Sequence, residues 1–247
     1  MGTMSIGFCT HPGRVRANNE DYLLVDEEIG LVLVADGVGG HQAGEVASQL
    51  AAQTIHTLIK QRLLEDQEAD ITAVIQEAID QAHDEIQKIA TLQPDHNGMG
   101  STVVLGLCHQ EQIFIGHVGD SRAYLIHRRG IEPLTADHSL VATLVKTGDI
   151  SQKEARDHSL RHVITQCLGC EKYFGPEISQ VNWQPGDILL LCSDGLTDLL
   201  TDHCIKKAVQ KSRGDLQICA DNLVDIANQK GGFDNISVIL LEKTHPY

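Results

Sequence analysis

Apolar runs that stop at an aspartate recur along this chain. Leu31-Val-Leu-Val-Ala35 ends at Asp36-Gly37, Leu189-Leu-Leu-Cys192 at Ser193-Asp194-Gly195, and Ile113-Phe-Ile-Gly-His-Val118 at Gly119-Asp120. Short β-prone runs bounded by glycine predict buried strands. One Asp-Gly after a strand reads first as a turn. Three strands ending in acids suggest instead one shared acidic centre. Further strands are predicted on either side of a turn at His11-Pro12-Gly13, over Ser101–Leu107 and Arg122–His127, and over Ile236–Leu241 behind Asp234-Asn235. The strands between 101 and 127 read as an antiparallel meander.

Elsewhere the period changes from two to 3.6. Gly44–Arg62 places apolar or small residues at Ala47, Leu50, Ala51, Thr54 and Leu58, and Ile71–Ala90 does so at Ile71, Ile75, Ala78, Ile79, Ala82 and beyond. Both read as amphipathic helices lying on a sheet. Leu196–Leu200 and Asp215–Gln229 also look helical. Residues 137–175 carry no strand signal: Asp137-His138 is expected to cap a helix running to Gly148, Ser151 a second short one, and Asp157-His158-Ser-Leu-Arg161-His162 is polar and basic. This segment reads as an inserted subdomain beside the site, with plain surface decoration as the alternative.

The 247 residues hold no proline- or serine-rich linker, so one domain spanning 1–247 is expected. The net charge of −15 argues against binding the phosphate backbone of nucleic acid and suits a cation-binding protein. The N-terminus lacks the apolar core of a signal peptide, and no segment is long enough to span a bilayer. The seven cysteines are scattered among apolar neighbours, as reduced core thiols would be, which places the chain in the cytoplasm. Cys167-Leu-Gly-Cys170 has no second Cys or His pair at zinc spacing and is given little structural or redox weight.

Carboxylates without matching Cys or His ligands make an oxygen-only site, which favours Mg²⁺ or Mn²⁺ over Zn²⁺. No EF-hand loop occurs. Gly37-Val-Gly39-Gly-His-Gln42 is not a dinucleotide fingerprint, because Gln42 stands where the last glycine belongs. The G-x-S-x-G elbow is absent, and no cysteine has an arginine six positions later, which excludes a cysteine-nucleophile phosphatase loop. Two bridged divalent ions that present a hydroxide to a phosphorus centre remain the natural reading. Arg14-Val-Arg16 beside Glu20-Asp21 is either a surface ion pair or a guanidinium fork for phosphate with further carboxylate ligands.

The ordered set Arg16-x-x-x-Glu20-Asp21, Asp36-Gly37-x-Gly39-Gly40-His41, Gly100-Ser-Thr102, Gly119-Asp-Ser-Arg122, Ser193-Asp-Gly195 and Asp234-Asn235 resembles the metal-dependent protein phosphatases of type 2C, in particular their compact bacterial members. The resemblance covers nearly the whole chain. It implies an α+β fold, a four-layer α/β/β/α sandwich of two mainly antiparallel sheets flanked by helices, with residues 137–175 as a flap.

It further implies two to three Mn²⁺ or Mg²⁺ ions. Asp36 would bridge two of them, Asp194 and Asp234 would complete the coordination of the first ion, and the Gly37 carbonyl would bind the second, with Glu20 and Asp21 touching it directly or through water. Asp120, with Asp194 nearby, would hold a third. Arg16 would clamp the phosphoryl oxygens of a phosphoserine or phosphothreonine, and His158 and Arg161 on the flap would contact substrate. The leaving alkoxide needs a proton. Relatives that have a histidine directly after Asp-Gly are proposed to use it, but here that residue is Val38. His41 is the nearest substitute, water on the ions is the rival donor, and His41 can equally cap the next helix.

The implied activity is Ser/Thr protein phosphatase, acting as a cytoplasmic monomer on a Ser/Thr kinase or its substrates. The alternative is a regulatory module that binds a phosphoprotein without cleaving it.

Overall fold

The structure, a computed structural model, describes residues 4–39, 43–212 and 214–243. Among these residues eleven strands form two antiparallel sheets. In the first, β2 (Asp21–Asp26), β3 (Leu31–Val38), β5 (Val103–His109), β6 (Gln112–Val118) and β9 (Glu177–Asn182) lie side by side, and the short β4 (Gly100–Ser101) pairs with the end of β3. In the second, the order is β1 (Met4–His11), β11 (Ile236–Lys243), β10 (Ile188–Cys192), β7 (Arg122–Ile126) and β8 (Ile131–Pro133).

Strand periodicity explains the layering. On β3, Leu31, Leu33 and Ala35 point to one side, into a cluster with α1 (Ala43–Glu65) and α2 (Ile71–Leu92). Val32 and Val34 point to the other and meet Leu189 and Leu191 of β10 and Ile239 and Leu241 of β11 between the sheets. Ile188, Leu190 and Cys192 then face outward onto α7 (Leu216–Gln229) and α6 (Asp202–Lys211). Four layers, α/β/β/α, follow because strands covered on both faces carry apolar residues at every position.

α2 starts where Asp70 accepts hydrogen bonds from the Thr72 and Ala73 amides, and α7 starts at Asp215 in the same manner. No helix among the described residues is long and apolar enough to cross a membrane.

The structure departs from the sequence reading at four places. The meander breaks after β6: the turn at Gly119-Asp120 carries β7 into the other sheet, where it pairs with β10. β9 and α6 carry no signal strong enough to be read, since β9 is a largely exposed edge strand and α6 buries only Ile205 and Val209. Ser139, rather than Asp137 or His138, caps α3 (Leu140–Thr147). Cys167 and Cys170 are paired as a disulfide, which corrects the reading of all seven cysteines as free thiols.

Ser151 and Glu154 do form a reciprocal cap on α4 (Gln152–Arg156). The 137–175 segment closes on itself at its base through Leu140 N–H to Val163 O, at 2.9 Å, and Thr165 N–H to His138 O, at 2.8 Å.

Candidate metal centre

The acids gather because of strand register. Asp21 and Asp36 are directly opposite each other on β2 and β3, so their side chains share a face. Like charges in that position repel. β10 delivers Asp194 into a short helical turn, α5 (Asp194–Thr197), and the β11 approach delivers Asp234. β6 ends one turn before Asp120.

Burial, then the charges of Asp21, Asp194, Asp120 and Asp234, push the Asp36 carboxyl well above its ordinary range. Burial, then Asp120, Asp198 and Asp234, does the same to Asp194. Asp21 is 8% exposed, and burial above all raises it to about 6. Asp120 rises to about 7 by burial and by the neighbouring Asp137. In each case burial is the larger cause and neighbouring carboxylates add to it, so the charged form of every acid in the basin is disfavoured.

The backbone around the acids is held by the small polar residues of the motifs. The Asp36 carbonyl accepts from Thr102 N, at 2.8 Å, and from Ser101 Oγ, at 3.1 Å. Ser193 Oγ donates to Asp21 Oδ2 at 2.8 Å and accepts from Ser237 N at 3.0 Å, which ties the two sheets together under the basin. Asn235 accepts from Glu20 N and donates to the carbonyls of Pro12 and Asn18, fixing the loop that carries Arg16 and Glu20.

Two glycines are required by proximity. A Cβ on Gly37 would stand 2.1 Å from the Gly44 carbonyl oxygen, and one on Gly195 would stand 2.0 Å from that of Asn235. Arg122 makes a two-pronged ion pair with Asp137, at 2.7 and 2.6 Å, which anchors the start of the flap to β7.

Glu20 is half-buried with its carboxyl raised by burial, against the opposing pull of Arg16. Arg16 lies at the rim and donates to Asp234 Oδ2 at 2.7 Å, with 54% of its side chain exposed. On the flap, His158 Nδ1 accepts from Leu160 N, so that ring nitrogen serves its own turn. Arg161 approaches Asp198, Nε to Oδ2 at 3.9 Å, and not one of the expected metal ligands. His41 lies outside the described residues.

The sequence reading missed Asp198 and His162. His162, Asp194 and Asp198 have ligand atoms all within 4.8 Å of one another. Asp198 follows Asp194 by one helical turn, a spacing visible in the sequence that puts both on one face.

The residues present fit divalent cations. The donors are carboxylate and carbonyl oxygens, as hard cations require. Asp21 Oδ1 is buried without a hydrogen-bond partner. A buried carboxylate oxygen left in that state is costly unless a cation answers it.

Comparison with known proteins agrees with this geometry. The family model described as Protein phosphatase 2C matches residues 13–220. The serine/threonine phosphatase stp of Listeria monocytogenes serotype 4b is 38% identical over 243 residues, which cover 97% of this chain and 96% of that protein. The crystal structure of the Mycobacterium tuberculosis serine/threonine phosphatase PstP/Ppp superimposes with a TM-score of 0.89 at 34% identity, covering 98% of this chain and 99% of that one. A catalytic domain of PstP in complex with two manganese ions gives a TM-score of 0.86 at 32% identity, covering 98% of this chain and 99% of its own. Strand-end acids, interlocked motif residues and full-length similarity lead to one assignment: this chain belongs to the protein phosphatase 2C family of metal-dependent Ser/Thr phosphatases.

Proposed function

We propose that the basin around Asp36 is the active centre, that it holds two to three Mn²⁺ or Mg²⁺ ions, and that the chain removes phosphate from phosphoserine and phosphothreonine proteins. The observation that carries this reading is the crowding of Asp21, Asp120 and Asp194 onto Asp36, with burial and mutual repulsion raising each carboxyl. Asp36 is assigned to bridge two ions, Asp194 and Asp234 to serve the first, and the Gly37 carbonyl with Glu20 and Asp21 to serve the second. Asp120 and Asp194 are assigned to a third, at the end of the basin where Asp198 and His162 stand. Divalent cations supply Lewis acidity toward phosphoryl oxygens and activate water for in-line attack.

The chain's own residues do the rest. Arg16 is assigned to grip the phosphoryl oxygens. Its present pair with Asp234 is exposed, hence worth at most about 1 kcal/mol, so turning the guanidinium to a phosphate costs little. Thr102, Ser101, Ser193 and Asn235 keep the donors in place before substrate arrives, so the reaction need not wait for them to reorganise. His158 and Arg161 are assigned to the substrate side of the flap, and His41 to proton delivery. A monomer in the cytoplasm that opposes a Ser/Thr kinase is the setting this reading implies.

The test is hydrolysis of a phosphothreonine peptide and of p-nitrophenyl phosphate with Mn²⁺, with Mg²⁺ and with EDTA. Turnover that requires metal and disappears in Asp194→Ala is expected. Measurable metal binding without turnover under any divalent ion would replace this reading with the regulatory module.

A further inference from the structure

The one sequence motif that the phosphatase reading leaves without a role is Cys167-Leu-Gly-Cys170, where the flap returns to the sheet. Its two sulfurs are joined, with the Cα atoms 5.4 Å apart. The loop they close is packed against strand β4. Leu168 is fully buried and makes an antiparallel bridge with Ser101: Ser101 N–H donates to Leu168 O at 3.1 Å, and Leu168 N–H to Ser101 O at 2.8 Å. A Cβ on Gly100 would lie 3.1 Å from Cys167 Sγ and 3.2 Å from Cys170 Sγ, so both sulfurs rest on the β4 backbone. Gly169 N–H donates to His83 Nδ1 at 3.0 Å, which fixes the loop to α2 as well.

β4 is in turn the neighbour of the proposed metal ligands. Gly100 and Ser101 pair with Val38 and Gly37. Ser101 Oγ and the Thr102 amide both donate to the Asp36 carbonyl. Between the disulfide and the residue assigned to bridge two ions there is only one strand, held on one side by the Cys167–Cys170 loop.

We propose that Cys167 and Cys170 form a reversible redox clamp, whose closure holds Gly100–Thr102 against Asp36 and Gly37 and thereby tightens binding of the divalent cations. The affinity half of this inference rests on the reading of Asp36 and Gly37 as metal ligands. Cys170 is the partly exposed residue of the pair and Cys167 the buried one. A small cellular dithiol therefore attacks Cys170 Sγ: the S–S bond breaks, and Cys167 leaves as a thiolate and takes a proton. The second thiol of the reductant then attacks the mixed disulfide, releasing Cys170 as a thiol and leaving the reductant as its own disulfide. Closure by a peroxide runs the other way, with two thiols and one peroxide giving the disulfide and two molecules of water. Burial pushes the thiols of Cys108 and Cys192 up to about 12, so thiolate forms there with difficulty.

The experiment compares the intact protein after dithiothreitol, the same protein after reoxidation with hydrogen peroxide, and the Cys167→Ser/Cys170→Ser double variant. Alkylation and peptide mass define the state of the pair, hydrogen exchange reports the Ser101, Thr102 and Leu168 amides in EDTA, and calorimetry measures Mn²⁺ binding. The expected result is a disulfide form whose three amides exchange at least threefold more slowly and whose Mn²⁺ dissociation constant is about threefold lower than in the dithiol form. The double variant should match the dithiol form under either treatment, which also separates the effect from oxidation at the partly exposed Cys204. Equal exchange and equal Mn²⁺ constants in the two states, or a pair that stays alkylatable after peroxide, would overturn the clamp. A difference in exchange with no Mn²⁺ heat in either state would overturn the metal-ligand reading, and with it the claim about affinity.

Discussion

Replacing Asp21 by asparagine should make the metal-free protein more stable while weakening its hold on metal. Asp21 is buried beside Asp36, one of its oxygens accepts from Ser193 Oγ, and the other has no partner. Burial raises its carboxyl from the ordinary 3.8 to about 6. A carboxyl whose folded value lies above its unfolded value costs stability at every pH where the unfolded chain has already released the proton. The cost is absent well below 3.8, grows between 3.8 and about 6, and is fully present above 6. Its full size is about 3 kcal/mol at pH 7.5, falling to about 1 kcal/mol at pH 4.5.

Asparagine removes the charge and keeps the shape. Ser193 Oγ can donate to the amide oxygen as it did to the carboxylate, and the amide nitrogen inherits the position that was already unpartnered. The net gain should be about 2 kcal/mol, or a rise in Tm of roughly 4–8 °C for a chain of this size. Thermal melts in EDTA at pH 7.5 and 4.5 read it, and saturating Mn²⁺ should reverse the ranking, because the wild type then gains the larger binding contribution. An asparagine variant no more stable than wild type in EDTA at pH 7.5, or equally stabilised at both pH values, would refute the claim that this charge is held against its own cost.

Asp36→Ala should lower Mn²⁺-dependent hydrolysis of p-nitrophenyl phosphate by at least about a thousandfold, since the reading gives it contact with both ions. Arg16→Ala should act mainly on KM, raising it about tenfold for a phosphothreonine peptide with kcat changed only a few-fold; steady-state kinetics separate the two. Gly37→Ala should cost about 3 kcal/mol or more in a denaturant melt, because the new methyl would stand 2.1 Å from the Gly44 carbonyl oxygen and backbone must move.

Asp26 gives the opposite pH dependence to Asp21. Burial works against its charge, but His56 and Lys60 outweigh it and hold the carboxyl at about 2. It therefore contributes stability above 3.8 that is lost as pH falls toward 2. Asp26→Asn should cost about 2 kcal/mol at pH 7 and almost nothing at pH 2.

How much of this was legible depended on how many surfaces each element covers. β3 and β10 are covered on both faces, so their sequences are unbroken apolar runs, and α2 has a cap and a long apolar stripe. β9 lies at a sheet edge, with Glu177, Ser179, Gln180 and Asn182 exposed, and so presents no run to read. The passage of β7 into the second sheet was hidden for another reason. Short β-prone runs separated by turns look alike whether the next strand pairs with its predecessor or crosses the core, and here the choice is made by β10, more than sixty residues later, which pairs with β7 along its whole length.

The acids themselves were easier to find than their arrangement, and the difference is physical. An aspartate at the end of a buried strand has a high cost without a counterion, so its presence marks a site even in one dimension. Which acids meet is decided by register between distant segments. Asp21 faces Asp36 because β2 and β3 pair residue for residue over Asp21–Asp26 and Leu31–Asp36, and a slip of one residue would send one of the two carboxylates to the opposite face. Asp198 reaches the basin from one helical turn beyond Asp194, and His162 comes from the flap, thirty-two residues before Asp194 in the chain. The same logic explains the small polar residues in the motifs. Ser193, Thr102 and Asn235 carry no charge and bind no ion in this reading, yet each joins segments far apart in sequence: Ser193 to Asp21, Thr102 to Ser121, Asn235 to Glu20. A centre made of mutually repelling carboxylates cannot be held together by its own ligands before metal arrives. Those three side chains supply the attraction that fixes the register, which is why they sit directly beside the acids they cannot replace.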